Sequence, residues 1–447
     1  MPIDSIGIIF LGTAAGKPST TRNVSSLAVR LDSKLWVFDV GEGTQHRFID
    51  PRCKLSLSKV SRIFITHMHG ELSSPRCWRG DHINGLPGLL CTISAGEGSV
   101  LPGESDPRLD NAQQNPPTEI YGPAGLRLFL RTTLTLTASI LSRPYVVHEL
   151  LFPGEETSTG ELHPSERKGR DIRMGEDGFW RDLVSETEGG SVSVGAGPIL
   201  HTINCIGYFL SEAPRPLPIQ PSLFIPHLRN PTNAAALAAE GIKNPLSLLS
   251  LIQTERKSVT LADGTVLEPP ALDPNGGRKI VILGDTYDAS AMLPLVNPDN
   301  DDLVDVVVHE ATNAFLPDLD DSQHPSKLRD GKPTTLESVT ETACSHGHST
   351  PQGAATFARR AGARTLLLNH LSVKYADADA DEAERAMGPE SREKARAMVR
   401  EIERHADDVL RGGSSGEGER RVWAARDFWE FDVVRRDKRA KEKGKRT

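Results

Sequence analysis

The first half of the chain alternates short apolar runs with glycine-rich turns at 7–11, 26–31, 35–38 and 62–65, a strand-length pattern that predicts β-strands. Helical spacing replaces it at 83–94 and 125–136, where apolar positions recur three and four apart. Between these two helices, 95–117 is rich in Gly, Pro, Asp, Asn and Gln and predicts a loop, and a second polar insertion spans about 153–190. From 212 to 268 the pattern changes to a Pro-rich stretch, an alanine-rich helical segment near 233–240 and a hairpin-like 259–266. That excursion must leave the core and return, as a substrate-holding arm or as surface decoration. The last third predicts strands at 304–308 and 365–368 around a helix at 350–361, a long charged helix near 382–410, and closing strands at 420–425 and 428–431. Strands first, then strand–helix alternation, predict an α/β fold in which two mixed sheets pack face to face beneath outer helices.

Chemistry gathers where the predicted strands end. His67 and His69, separated by one residue, project from one side of an extended segment, so their nitrogens can converge on one cation. Asp81-His82 opens the following helical run, and single residues recur after later apolar runs: His201, Asp285 and His370. Strand ends are where an α/β scaffold delivers side chains to a shared crevice. Seven N and O donors without a cysteine suit two zinc or manganese ions bridged by one carboxylate, a site for metal-assisted hydrolysis. Because the donors stretch from His67 to His370, residues 1–434 read as one catalytic domain with insertions at about 71–80, 95–117 and 153–190 and the arm at 212–268.

Composition adds bounds. Across 447 residues, 37% are apolar and 39 are Gly and 31 Pro, enough for a core and much loop besides. The five cysteines are scattered and form no C-x-x-C pair, which fits reduced thiols better than a disulfide framework. No stretch approaches the roughly 18 apolar residues of a membrane span, and no signal-peptide order opens the chain, so the expected location is intracellular: nucleus or cytosol, with the mitochondrion also open. The net charge of −8 is unevenly spread, since 435–447 is a strongly basic tail, expected to be disordered or to serve as a nuclear-import signal or nucleic-acid arm.

With these residues in place, the chain resembles the ribonuclease Z family, tRNA 3′-processing endonucleases of the metallo-β-lactamase superfamily. Gly12-Thr13 followed by Pro18 to Ser26 resembles that family's N-terminal substrate loop, and Asp39-Val40-Gly41-Glu42-Gly43-Thr44-Gln45 its glycine-rich signature. Gly80-Asp81-His82 leading into Gly85-Leu86-Pro87-Gly88 matches the second half of its histidine motif. His201 before Gly207-Tyr208, Gly284-Asp285-Thr286, His309-Glu310-Ala311-Thr312, Gly347-His348-Ser349-Thr350 and Asn369-His370 follow in family order. At the arm, Lys243-Asn244-Pro245 stands where relatives carry a Gly-Pro element, a departure that weakens the expectation of tRNA docking there.

The resemblance implies a metallo-β-lactamase αββα sandwich with a protruding arm and two zinc ions. His67, His69 and His201 would hold the first ion and Asp81, His82 and His370 the second, with Asp285 between them. It implies removal of 3′ trailers from precursor tRNA: water activated at the metals and oriented by Asp81 attacks phosphorus, while His348, positioned by Glu310, protonates the leaving ribose oxygen. Arg22, Lys243 and Lys257 are the expected phosphate contacts, and family members are often homodimers. Residues 71–80 interrupt the histidine motif, and deleting them restores it without a seam. The stretch is either a lineage-specific loop or the product of a misplaced splice boundary. Two other readings stand beside the tRNA one: a dinuclear phosphodiesterase for small esters, or a binding scaffold whose second metal site the insertion has disabled.

Overall fold

The computed structural model describes residues 3–68, 80–95, 116–298, 303–324, 333–412 and 420–436; His69, the insertion up to 79, most of the 95–117 loop and the tail from 437 lie outside them. The chain forms two compact units, the larger from 3–211 and 279–434.

In the larger unit, among the described residues, one sheet has nine strands and the other seven. The first runs Glu430–Asp432, Ile6–Gly12, Ser26–Leu31, Lys34–Phe38, Val60–Phe64, Thr118–Pro123, Tyr145–Leu151 and Glu166–Arg167, with Asp171–Arg173 also paired to Tyr145–Leu151. The second runs Arg421–Ala424, Thr365–Asn369, Val306–Glu310, Lys279–Ile282, Asn204–Glu212, Val192–Leu200 and Trp180–Val184. Side chains alternate in direction along each strand. Thus Ile280, Ile282, Val306, Val308 and Leu367 face Ile8, Phe10, Phe38 and Phe64 of the first sheet, and all are buried between the sheets. Val281, Val307, Leu366 and Leu368 turn the other way, beneath helices Pro351–Arg360 and Pro389–Arg411. Val37, Ile63, Ile120 and Val147 do the same under helices Leu86–Ala95 and Leu126–Leu136. The result is helix, sheet, sheet, helix, the layering read from the sequence.

Two details differ from the sequence reading. The long helix expected at 382–410 is broken into Ala383–Ala386 and Pro389–Arg411. Gly388 is extended and Pro389 opens the second helix, because proline offers no N–H to a preceding turn and disfavours helical backbone in the residue before it. The polar stretch read as an insertion at 153–190 also supplies strands to both sheets, Glu166–Arg167, Asp171–Arg173 and Trp180–Val184. These strands lie at or near sheet edges, where polar faces reach solvent and the apolar signal is weak.

Parallel pairing positions the chemistry. Lys279–Ile282, Val306–Glu310, Thr365–Asn369 and Arg421–Ala424 run parallel, so their C-terminal ends share one edge, from which Asp285, Glu310 and His370 emerge. In the first sheet Lys34–Phe38 and Val60–Phe64 are parallel too, placing Asp39 and His67 just beyond their ends.

The second unit comprises Glu212–Arg278 with Arg435. Helices Pro221–Leu228, Pro231–Ala239 and Leu248–Thr254 and the ribbon of Val259–Thr260 with Val266–Leu267 enclose Phe224, Leu228, Leu237, Leu248, Ile252, Leu261 and Leu267. Glu212 is buried and accepts from Arg278 Nε and Nη2 at 2.8 and 2.9 Å, and Arg435 pairs with the same carboxylate. Arg435, expected as the first residue of a disordered tail, is therefore a buried ion-pair partner. One carboxylate between two guanidiniums satisfies charges that burial would otherwise penalise. Among the described residues no helix is long and apolar enough to cross a membrane.

Candidate metal and catalytic site

Five separate segments deliver imidazoles and carboxylates to one buried place. His82 Nε2 lies 3.2 Å from Asp285 Oδ1 and 3.8 Å from Asp81 Oδ2, and His370 Nε2 lies 3.2 Å from both Asp81 Oδ2 and His82 Nε2. His67 Nε2 is 4.0 Å from Asp285 Oδ2. The His201 ring stands 5.1 Å from that of His67 and 5.3 Å from that of His348. Asp81 and His82 thus meet His67 although the insertion separates them in sequence. His69 lies outside the described residues.

The outer nitrogens of these rings are engaged. His82 Nδ1 donates to Asp39 Oδ2 at 2.7 Å and His201 Nδ1 to the Gly347 carbonyl at 2.7 Å. The Thr66 hydroxyl donates to Asp39 at 2.9 Å and so accepts from His67 Nδ1, 2.9 Å away. Such bonds place the proton on Nδ1 and the lone pair on Nε2. This donor set fits divalent cations: neutral imidazole nitrogens and ionised carboxylate oxygens face one another in a buried place. Three overlapping groups have ligand atoms within 4.8 Å of one another: His67, His82 and Asp285; Asp81, His82 and His370; Asp285, His348 and His370.

The electrostatics agree. Burial alone would raise the Asp285 carboxyl, but His370 and His82 hold it well below the usual carboxylate range. Asp81 is lowered in the same way, with His82 and His370 overcoming burial. Burial would lower His82, yet Asp285, Asp39 and Asp81 raise it well above an ordinary imidazole. The pocket therefore favours positive charge at its centre.

Beside this cluster, His348 Nδ1 bonds Glu310 Oε1 at 3.0 Å, and both residues are buried. The Thr286 amide donates to the same oxygen at 2.7 Å. Burial would raise Glu310, but His348 and His370 keep it below its ordinary value and hence ionised. His309 donates from Nδ1 to the Glu310 carbonyl and packs on Phe357. His148 likewise stacks on Tyr121, and burial lowers it to about 4.

Backbone conformation reports strain at the same place. Asp39 and His370 have φ of 56° and 50°, a left-handed conformation that non-glycine residues seldom adopt and that costs roughly 1–3 kcal/mol. Gly347, at φ 82°, leaves room for His201, because a Cβ there would lie 2.3 Å from its Nδ1.

Asp39 is the residue whose importance the sequence reading passed over. It sits at the start of the Asp39-to-Gln45 motif; its Oδ2 serves His82 directly and His67 through the Thr66 hydroxyl, while Oδ1 accepts from the Thr66 amide at 2.8 Å. Its position directly after a predicted strand was the available signal. Gly16 was also missed: its amide donates to Asp81 Oδ2 at 2.6 Å.

Arg22 requires a correction. Expected as a phosphate contact, it is 1% exposed, and it donates from Nε to the Tyr375 carbonyl and from Nη1 to Thr13 Oγ1 and the Ala425 carbonyl, at 2.9, 2.7 and 2.7 Å. Its role is to tie the N-terminal loop to the C-terminal strands. Arg22→Ala is expected to cost about 3 kcal/mol, since it strands buried acceptors, and denaturant unfolding measures the loss. Lys257 is exposed and pairs with Glu255 at 2.7 Å, and Lys243 is exposed as well, both within the second unit.

Comparison with known proteins follows the same lines. The family model described as tRNase Z endonuclease matches residues 13–79. Zinc phosphodiesterase ELAC protein 1 of Bos taurus is 34% identical over 383 residues, spanning 83% of this chain and 87% of that protein. Ribonuclease BN of Cronobacter sakazakii is 34% identical over 386 residues, spanning 85% and 92%. The crystal structure of human tRNase Z, short form, aligns with 96% of this chain and 100% of its own at a TM-score of 0.51 and 26% identity. At that identity and coverage, the chain belongs to the tRNase Z endonuclease family and carries its metallo-β-lactamase-type fold of two mixed sheets between outer helices.

Proposed function

We propose that this protein is a metal-dependent endoribonuclease that removes 3′ trailers from precursor tRNA, and that its buried His/Asp cluster holds two zinc ions. The observation that carries this reading is the convergence of His67, His82, His370, Asp81 and Asp285 beside the 3.0 Å His348–Glu310 bond. His67 and His201, with His69, are assigned to one ion; Asp81, His82 and His370 to the other; Asp285 to both. When bound, the ions supply a water acidic enough to act near neutral pH and neutralise charge on the phosphate.

The remaining work belongs to side chains. Asp81, held through Oδ2 by the Gly16 amide, orients the attacking water and accepts its proton. His348, whose Nδ1 is engaged by Glu310, presents a proton on Nε2 to the departing ribose 3′-oxygen. The buried carboxylate of Glu310 keeps that imidazole oriented and stabilises its protonated form. Lys243 and Lys257 are offered as phosphate contacts on the second unit, acting through charge rather than base reading. Assembly as a homodimer is part of the same reading, and sedimentation checks it.

The test compares turnover of a precursor tRNA bearing a 3′ trailer with that of bis(p-nitrophenyl) phosphate. Robust cleavage of the small ester alone would sink the tRNA reading. His348→Ala is expected to lower kcat for trailer removal by about 10²–10⁴-fold, the range for a lost general acid, with little change in substrate binding. Glu310→Gln should show a smaller loss in the same direction.

A further inference from the structure

The sequence reading gave roles to Glu310 and His348 and a metal to His370, but none to Thr312, which completes the same His309-to-Thr312 motif. Thr312 is 5% exposed, and its hydroxyl lies where those groups meet. Oγ1 is 2.5 Å from Glu310 Oε2, 3.1 Å from His370 Nδ1, 3.0 Å from the His370 carbonyl and 3.5 Å from His348 Nδ1.

A hydroxyl has one proton to donate and two lone pairs to accept with. The 2.5 Å contact to an ionised carboxylate has the length of a charge-assisted bond, so the proton points to Glu310. Toward His370, Oγ1 must then accept, which requires the proton of that imidazole to sit on Nδ1, the nitrogen that also faces Asp285 Oδ1 at 3.3 Å. The lone pair is thereby left on Nε2, the nitrogen 3.2 Å from Asp81 Oδ2 and from His82 Nε2. A hydroxyl donating to the His370 carbonyl would leave Glu310 Oε2 with only the Thr312 amide at 3.4 Å.

We propose that Thr312 is a positioning residue that couples the two halves of the site: one hydroxyl fixes the His370 tautomer for metal binding and holds Glu310 where it orients His348. This rests on the reading of His370 as a metal ligand and of His348 as the proton donor. The strained backbone of His370, at φ 50°, is consistent with a ring that needs outside support. The Thr312 amide and the Glu310 carboxylate also meet at 3.4 Å, so the motif closes on itself through backbone and side chain together.

The experiment uses wild type, Thr312→Ser, Thr312→Val and Thr312→Ala, each made metal-free and titrated with zinc, then assayed for trailer cleavage. Thr312→Val keeps the volume and loses the hydroxyl, whereas Thr312→Ala loses both. Agreement between them assigns the effect to the hydroxyl, and thermal unfolding of each checks that it folds. The expected result is a 10–100-fold weaker zinc affinity in Thr312→Val and Thr312→Ala, the range for loss of a hydrogen bond to a metal ligand. A fall in kcat of about 100-fold should accompany it, with KM within about threefold, because Thr312 is buried beneath the site. Thr312→Ser should restore both to within about threefold of wild type. Normal zinc affinity and kcat in folded Thr312→Val overturns the coupling, as does a Thr312→Ser variant no better than Thr312→Val. Wild type that neither binds zinc nor cleaves the trailer overturns the underlying reading as well, which separates the two failures.

Discussion

Asp285→Ala is expected to reduce trailer cleavage by at least about 10³-fold, the equivalent of roughly 4 kcal/mol of barrier. The reason is position. Asp285 is 1% exposed and stands among the rings of His67, His82, His348 and His370, with Oδ1 3.2 Å from His82 and 3.3 Å from His370, and Oδ2 4.0 Å from His67 and 3.8 Å from His348. Both sets of proposed ligands turn toward this one carboxylate. Alanine would leave His67 and His348 without this carboxylate and the Nε2 atoms of His82 and His370 with that of Asp81. A single-turnover trailer assay measures the loss, and cleavage within tenfold of wild type would refute a shared-carboxylate site. Fold integrity is checked by thermal unfolding, because the substitution also removes a buried charge.

Metal removal should have the second large effect. Dialysis against a chelator is expected to abolish trailer cleavage and to lower Tm by roughly 5–10 °C, both restored by zinc. A ligand at about a thousandfold its Kd adds about 4 kcal/mol to the stability of the folded state. The structure says where that stability resides. Asp39, Asp81 and Asp285 are nearly buried carboxylates, and Asp81 and Asp285 crowd the same imidazoles. Their mutual repulsion is answered in the metal-free protein by the histidines, the Gly16 amide and Thr66, and cations answer it more completely. Elemental analysis of the reconstituted protein supplies the count: about two zinc ions per chain agrees with the proposal, and one or none would favour the scaffold reading in which the 71–80 insertion disables half the site. An unchanged Tm on chelation would argue against any tightly held ion.

Much of the fold was legible because its rules are local. Short continuous apolar runs such as Lys279–Ile282 and Thr365–Asn369 are buried on both faces of a sheet, and their length and flanking turns identify them as core strands. The edge strands at Glu166–Arg167 and Asp171–Arg173 were not legible, since a half-exposed edge needs no apolar signature. Among site residues, His67, Asp285 and His370 stood out for a similar reason: a polar, metal-competent side chain directly after an apolar strand is conspicuous. Asp39 also follows a strand but stands in the sequence only as the first residue of a glycine-rich signature, because its role depends on Thr66 and His82, which the chain brings to it only on folding.

Arg22 marks the limit most clearly. On sequence it is a cation in a polar loop, indistinguishable from one that meets phosphate. In the structure it is fully enclosed, and two of its acceptors lie at Tyr375 and Ala425, on segments more than three hundred residues away. Thr312 shows the same limit, since neighbouring letters in a motif do not say that one hydroxyl touches Glu310, His348 and His370 at once.

By itself the sequence determined the layer architecture, the order of the family motifs and the set of side chains able to bind metal, because apolar periodicity and residue chemistry are carried by each segment alone. Tertiary structure decided which of those side chains meet, that Asp81-His82 reaches His67 across the insertion, that Arg22 and Arg435 are internal ties, and that Asp39 and Thr312 hold the rings in place. The physical reason is that hydrogen bonds and ion pairs act over about 3 Å, and only the packing of two sheets with parallel strand ends brings residues hundreds of positions apart within that distance.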